Sequence, residues 1–149
     1  MSKTLQAILA GGFIAGTIDI GAAVAIYHVG PIAVLQAIAS GLLGKASYSG
    51  GLNTALLGLV LQWGMSLIIA AIFVFAASRL PMLWRRWLVV GLAYGVAIFV
   101  VMTFVVVPLS ASYPKNPPQM PQSAEQFLAM LLVGVIISYC AKRFSSETN

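Results

Sequence analysis

The chain carries three acidic residues, Asp19, Glu125 and Glu147, against eight lysines and arginines. Glu125 and Glu147 lie at or beyond an end of the last apolar run. Asp19 lies inside the first one, which extends from Thr4 to about Val29. A carboxylate at the middle of a membrane span costs roughly 2.5–3.5 kcal/mol on insertion scales, so it requires a partner or a proton. Its neighbours set its direction. Gly12, Ala15, Gly16, Asp19 and Ala23 recur at three- and four-residue spacing and share one helical face. Gly12 and Gly16 form a GxxxG, which lets a second helix approach closely. Asp19 is therefore expected to face a helix and not lipid.

Depth along each span suggests its partners. At about 1.5 Å per residue, Asp19 lies about 4–5 Å to the external side of a first span centred near Gly16. Gln62 lies about 6 Å to the external side of a second span centred near Ser66, and Thr103 about 7 Å to that side of a third centred near Ile98. Asp19, Gln62 and Thr103 are thus the candidate intramembrane polar site. Two kinds of chemistry fit such a layer. One is a structural clamp, in which a protonated or hydrogen-bonded Asp19 fixes helix register. The other is a proton or cation site.

Other reactive side chains are few. His28 is the single histidine and Cys140 the single cysteine. This excludes bis-histidine haem, an internal disulfide and paired-cysteine chemistry within one chain. His28 follows Asp19 by nine residues, about 13 Å further along and on the opposite face of the helix. It reads as a half-exposed interfacial histidine, with contact to Glu125 as the alternative. Trp63, Tyr94 and Tyr139 read as packing or interfacial aromatics, with a pocket lining as the alternative. Gly91 and Gly95 form a second GxxxG, for a close contact within the chain or in a dimer. The sequence has no Walker loop, HExxH or GxSxG, and no second buried acid with a matched base. No catalytic residue, cofactor or metal is expected, and the chain is expected not to be an enzyme.

The elements that must position these residues follow from composition. Of 149 residues, 60% are hydrophobic and 7% charged, and the mean hydropathy is +0.99. A soluble domain is about 45–50% apolar and about 25% charged, so a water-soluble monomer and a disordered chain are both excluded. A transmembrane helix needs about 20 apolar residues. The charges delimit four spans in a single domain covering residues 1–149, at about 5–28, 54–77, 87–109 and 124–141. The first run, with Lys3 before it and Ala23-Val24-Ala25 near its end, also has features of a signal peptide, although Asp19 would then interrupt the apolar region. Pro81 breaks the helix in the linker 78–86, where Trp84 and Trp87 flank Arg85 and Arg86. Pro108 is expected to end or kink the third span. Residues 31–43 are too apolar for an ordinary loop and too short to span. They predict a short external helix, either interfacial or re-entrant, with Pro31 in its first turn.

Lys3, Arg79, Arg85, Arg86, Lys142 and Arg143 fall on one side of this topology, and Lys45 and Lys115 on the other. That asymmetry predicts both termini in the cytoplasm. The net charge of +5 therefore reads as topology signals and contacts to anionic lipid, with no nucleic-acid partner.

Gly11-Gly12-Phe13-Ile14-Ala15-Gly16 followed by Asp19, with Leu80-Pro81 and Trp84-Arg85-Arg86-Trp87 before a glycine-bearing third span that ends near Pro108, resembles small bacterial inner-membrane proteins of the YagU-like kind. The resemblance covers the first and third spans. It implies a multi-span inner-membrane protein of unknown activity and assigns no site residues. An acid in the first of four spans is also similar to the small multidrug resistance transporters. The expectation is an all-α, integral membrane four-helix bundle with a short external helix in the bacterial inner membrane. Its expected role is non-enzymatic, as an accessory or assembly subunit of a membrane complex. The alternative is a small proton- or cation-coupled transporter acting as a dimer, with Asp19 as the coupling acid. Expected partners are the lipid bilayer and either a second copy or a larger membrane complex.

Overall fold

The computed structural model describes residues 1–112 and 122–145. Every regular element among them is helical, and the chain forms an all-α bundle. Helix α1 spans Lys3–Tyr27. Ser2 caps it by accepting a hydrogen bond from the Leu5 amide at 3.2 Å, as short hydroxyl side chains do at helix starts. The helix stops at His28, which adopts a left-handed conformation with φ 52°. Gly30 and Pro31 then open α2, Pro31–Leu43. Proline suits this first turn because its missing amide would have had no intrahelical partner. Gly44, at φ 63°, ends α2 and leads into a 3₁₀ turn, Gly44–Ser49.

Helix α3, Gly51–Arg79, is the longest. It ends at Leu80-Pro81, and a single helical turn, α4 (Met82–Arg85), reverses the chain. Helix α5 covers Trp87–Val101 and continues through a π-helical turn, Met102–Val106, into the short α6, Val107–Leu109. Pro108 accounts for the π turn. It lacks an amide proton, and its ring would strike the carbonyl four residues earlier in a regular helix. The widened turn, with the Val107 amide bonded to the Met102 carbonyl, accommodates that ring. Helix α7 runs Gln122–Ser145.

Four helical runs are long and apolar enough to cross a membrane: α1, α3, the run Trp87–Leu109, and α7. Their bounds exceed the stretches read from hydropathy at 5–28, 54–77 and 124–141 by a few residues at most of their ends, because polar residues at a bilayer surface continue a helix that the apolar count leaves out. The chain is a multi-pass membrane protein.

Helix α7 lies between α1 and α5, and α3 packs on the other side of α1. The order across the bundle is α5–α7–α1–α3. The ring is closed between its outer members by Tyr94 of α5. Its hydroxyl donates to the Ile69 carbonyl of α3 at 2.7 Å, and its ring lies 5.0 Å from that of Phe73. Ala7, Ala70, Phe73, Val74, Ala77, Ile137 and Ala141 form the core toward the end that carries the arginines, here called the basic end.

Helix α2 packs against α3 near the far end. Gly58 makes this possible, since a Cβ there would run into the Leu35 carbonyl. A set of polar bonds holds α2 in place. Ser47 donates to the Gln36 carbonyl (2.9 Å), Thr54 to the Ser47 carbonyl (2.6 Å) and Gln36 to the Gly51 carbonyl (3.1 Å). At its other end, the Gly41 carbonyl accepts from the Ala111 amide at 2.9 Å. The segment 31–43 thus bridges α3 and the end of the third span.

Candidate functional site

The site begins with glycines. Helices α1 and α3 run antiparallel, and Gly12 and Gly16 bring their backbones together. A Cβ on Gly12 would come within 2.9 Å of the Leu67 Cα, and one on Gly16 within 2.7 Å of the Ser66 hydroxyl. Asp19 follows Gly16 by one turn on α1, and Gln62 precedes Ser66 by one turn on α3. The same antiparallel register therefore brings Asp19 and Gln62 into contact. The Gln62 side-chain amide donates to Asp19 Oδ2 at 2.8 Å. One helical step to the outside, Trp63 Nε1 donates to the Thr17 hydroxyl at 3.3 Å, and the Trp63 ring meets Phe13 edge-on at 5.3 Å. The α1–α3 seam thus carries one polar bond on its inner side and one on its outer side.

On the inner side, Asp19 and Gln62 border a small cavity with about 30 Å³ of space for water-sized molecules. Ser66 adds a hydroxyl to its wall, and Met65, Ile98, Met102 and Met130 supply most of the rest. All four spanning segments contribute. A water needs roughly 10–15 Å³ by this kind of measure, so the cavity has room for about two. Drug-sized ligand pockets begin near 300 Å³, so the space suits water or a small ion and not an organic substrate.

Asp19 and Gln62 are therefore in contact, whereas Thr103 lies outside the cavity. It sits in the π turn, and its neighbour Met102 lines the wall instead. Depth places a residue at a level, but successive helical residues point about 100° apart. One position along the chain is enough to turn a side chain away.

The second GxxxG lies in a different seam. Gly91 and Gly95 face α7 at Gly134. A Cβ on Gly95 would come within 2.6 Å of both the Leu131 Cα and the Met130 carbonyl, and one on Gly134 would run into the Gly91 carbonyl. Both GxxxG motifs are thus used within one chain. Gly134 escapes motif reading because it has no glycine four residues away. Ser66 escapes it because a serine in an apolar span is unremarkable until its neighbours are known.

The remaining candidates are apart from the cavity. His28 is exposed and terminates α1. Tyr94 is the ring-closing contact described above. Tyr139 stacks edge-on against Trp87 at 5.5 Å near the basic end. Cys140 is buried, beside Gly11. Among the described residues, no three His, Cys, Asp or Glu side chains gather closely enough to hold a metal ion. No protein-family model, curated protein or solved structure matches the chain.

Proposed function

We propose that this chain is a non-enzymatic protein of the bacterial inner membrane that acts as an accessory or assembly subunit of a membrane complex, with Asp19 as its internal clamp. The observation that supports the clamp is the 2.8 Å bond from Gln62 to Asp19 across the α1–α3 seam. A lone acid placed against an amide donor, beside a space too small for an organic substrate, has the geometry of a register-fixing contact. Six of the eight basic residues fall at one end of the bundle, which supports both termini in the cytoplasm. Asp19→Asn tests the clamp, because asparagine is nearly the same size and can still accept from Gln62. Abundance and thermal stability in mild detergent should stay close to wild type. Native mass spectrometry from lipid-preserving extracts should show the chain travelling with other subunits. Migration as an isolated chain would count against the subunit role.

The cavity itself favours a second reading. Room for about two waters beside an acid suits a proton- or cation-coupled transporter with Asp19 as coupling acid. A dimer of this kind would use a surface other than Gly91 and Gly95, which face α7. In proteoliposomes, loss of proton flux in Asp19→Asn at normal abundance would select this reading over the clamp.

A further inference from the structure

The basic end of the bundle has a feature that neither reading of Asp19 uses. Helix α3 ends on Arg79, and α4 turns the chain so that Arg85 and Arg86 follow within one compact reversal. All three arginines are exposed. The turn that carries them is well hydrogen-bonded. The Leu80 amide bonds to the Ala76 and Ala77 carbonyls, Trp84 to Pro81, Arg86 to Met82, and Val90 to Arg86. Leu83 and Trp84 pack against the core. The arginines are therefore displayed from a braced backbone.

Two further observations indicate what they face. Leu80 and Met82, in the same reversal, are 58% and 70% exposed, so large apolar side chains and guanidinium groups emerge together from one turn. Such a pairing fits the boundary between acyl chains and headgroups, where an apolar side chain sinks and a charged one stays at the surface. Beside them, Lys142 of α7 lies 5.2 Å over the ring of Trp87, which adds a fourth positive charge on an interfacial aromatic. Of the two described carboxylates, Asp19 lies within the α1–α3 seam and Glu125 in the first turn of α7, at the opposite end.

We propose that the reversal between α3 and α5 binds the headgroup phosphate of an anionic phospholipid. Arg79, Arg85 and Arg86 supply the donors, and Leu80 and Met82 rest in the acyl layer. A guanidinium presents a planar fork of donors that matches phosphate oxygens two at a time. Each basic residue near an anionic surface contributes about fivefold in affinity, so three together produce a preference large enough to measure. This proposal does not depend on the role of Asp19.

The test uses the full chain purified in a neutral detergent and offered phosphatidylglycerol or phosphatidylcholine, with retained lipid counted by native mass spectrometry. Wild type should retain phosphatidylglycerol at least about tenfold over phosphatidylcholine. The preference should shrink as salt is raised. It should fall at least about fivefold in Arg79→Gln/Arg85→Gln/Arg86→Gln, and the corresponding triple lysine variant, which keeps the charge but not the planar fork, should retain only part of it. Lys45→Gln, at the other end of the bundle, should leave it unchanged. Equal retention of the two lipids by wild type overturns the proposal, as does a preference that salt does not move. These two readings use the unmodified chain, so they hold even where the glutamine variant fails to fold. Inorganic phosphate alone should not raise the melting temperature. If it stabilises the protein as well as phosphatidylglycerol does, the ligand is free phosphate and the lipid assignment fails.

Discussion

Two seams in this bundle are built from the same motif and differ in what the motif meets. In the α5–α7 seam, Gly95 meets main chain at Leu131 and Met130, Gly134 meets main chain at Gly91 and Gly95, and Gly91 lies against the Ser138 hydroxyl. In the α1–α3 seam, Gly12 and Gly16 meet Leu67 and Ser66, and one turn further the contact becomes a hydrogen bond between Gln62 and Asp19. The difference is between close van der Waals packing and a polar register lock. Both are means by which membrane helices associate without a hydrophobic driving force. The contacts of Gly95 with Leu131 and of Gly134 with Gly91 are rigid, because backbone atoms have no rotamer to change. The polar seam retains adjustable side chains and, beside them, a water-sized space.

That contrast can be broken in stages. The largest effect is expected from Gly134→Ala. The new methyl group would strike the Gly91 carbonyl and approach the Gly95 amide nitrogen to 2.5 Å, and no side-chain rotation relieves a backbone clash. Overpacking of this type costs typically 1–3 kcal/mol, and this site should fall near the upper end, read as a lowered melting temperature in detergent. Asp19→Leu comes next. It removes the partner of the half-buried Gln62 amide beside the cavity, and a donor without a partner costs about 1–3 kcal/mol when fully buried and less where water reaches it. Reversible unfolding in mixed micelles should place it near the lower half of that range, with Asp19→Asn close to wild type. An Asp19→Leu variant as stable as wild type would remove the polar lock from the comparison.

Gly16→Ala should cost less than Gly134→Ala, about 1 kcal/mol, because the Ser66 hydroxyl that it meets can rotate away. Equal losses at the two glycines would show that the seams do not differ in rigidity. Tyr94→Phe removes the bond to the Ile69 carbonyl but keeps the ring against Phe73. Hydrogen bonds between membrane helices average about 0.6 kcal/mol, so its shift in melting temperature should be correspondingly small. Gly11→Ala closes the series. Its Cβ would meet Cys140 at an ordinary 3.5 Å, and stability should change by less than about 0.5 kcal/mol.

Much of this architecture is legible before any coordinates. Four apolar runs separated by charge and proline announce four long helices, because a bilayer core demands a length that few other structures reach. The direction of Asp19 is legible from Gly12 and Gly16, since residues three and four apart share a helical face. Its level relative to Gln62 follows from a constant rise per residue. Thr103 marks the limit of that reasoning. Rise sets height, but rotation about the helix axis depends on what each face packs against, and the π turn before Pro108 alters the phase within the third span itself. The role of Tyr94 is hidden for a related reason, since its partners on α3, Ile69 and Phe73, lie more than twenty positions away in the sequence.

The sequence by itself determined the class of the molecule, the number and lengths of its spans, and the presence of one acid in an apolar setting. These follow from composition and from distances along a single helix. Only the tertiary structure decided which helices are neighbours, that both GxxxG motifs are used within one chain, and that Gln62 faces Asp19 while Thr103 does not. Those outcomes depend on helix order and rotation, which are set by the summed packing of every face at once.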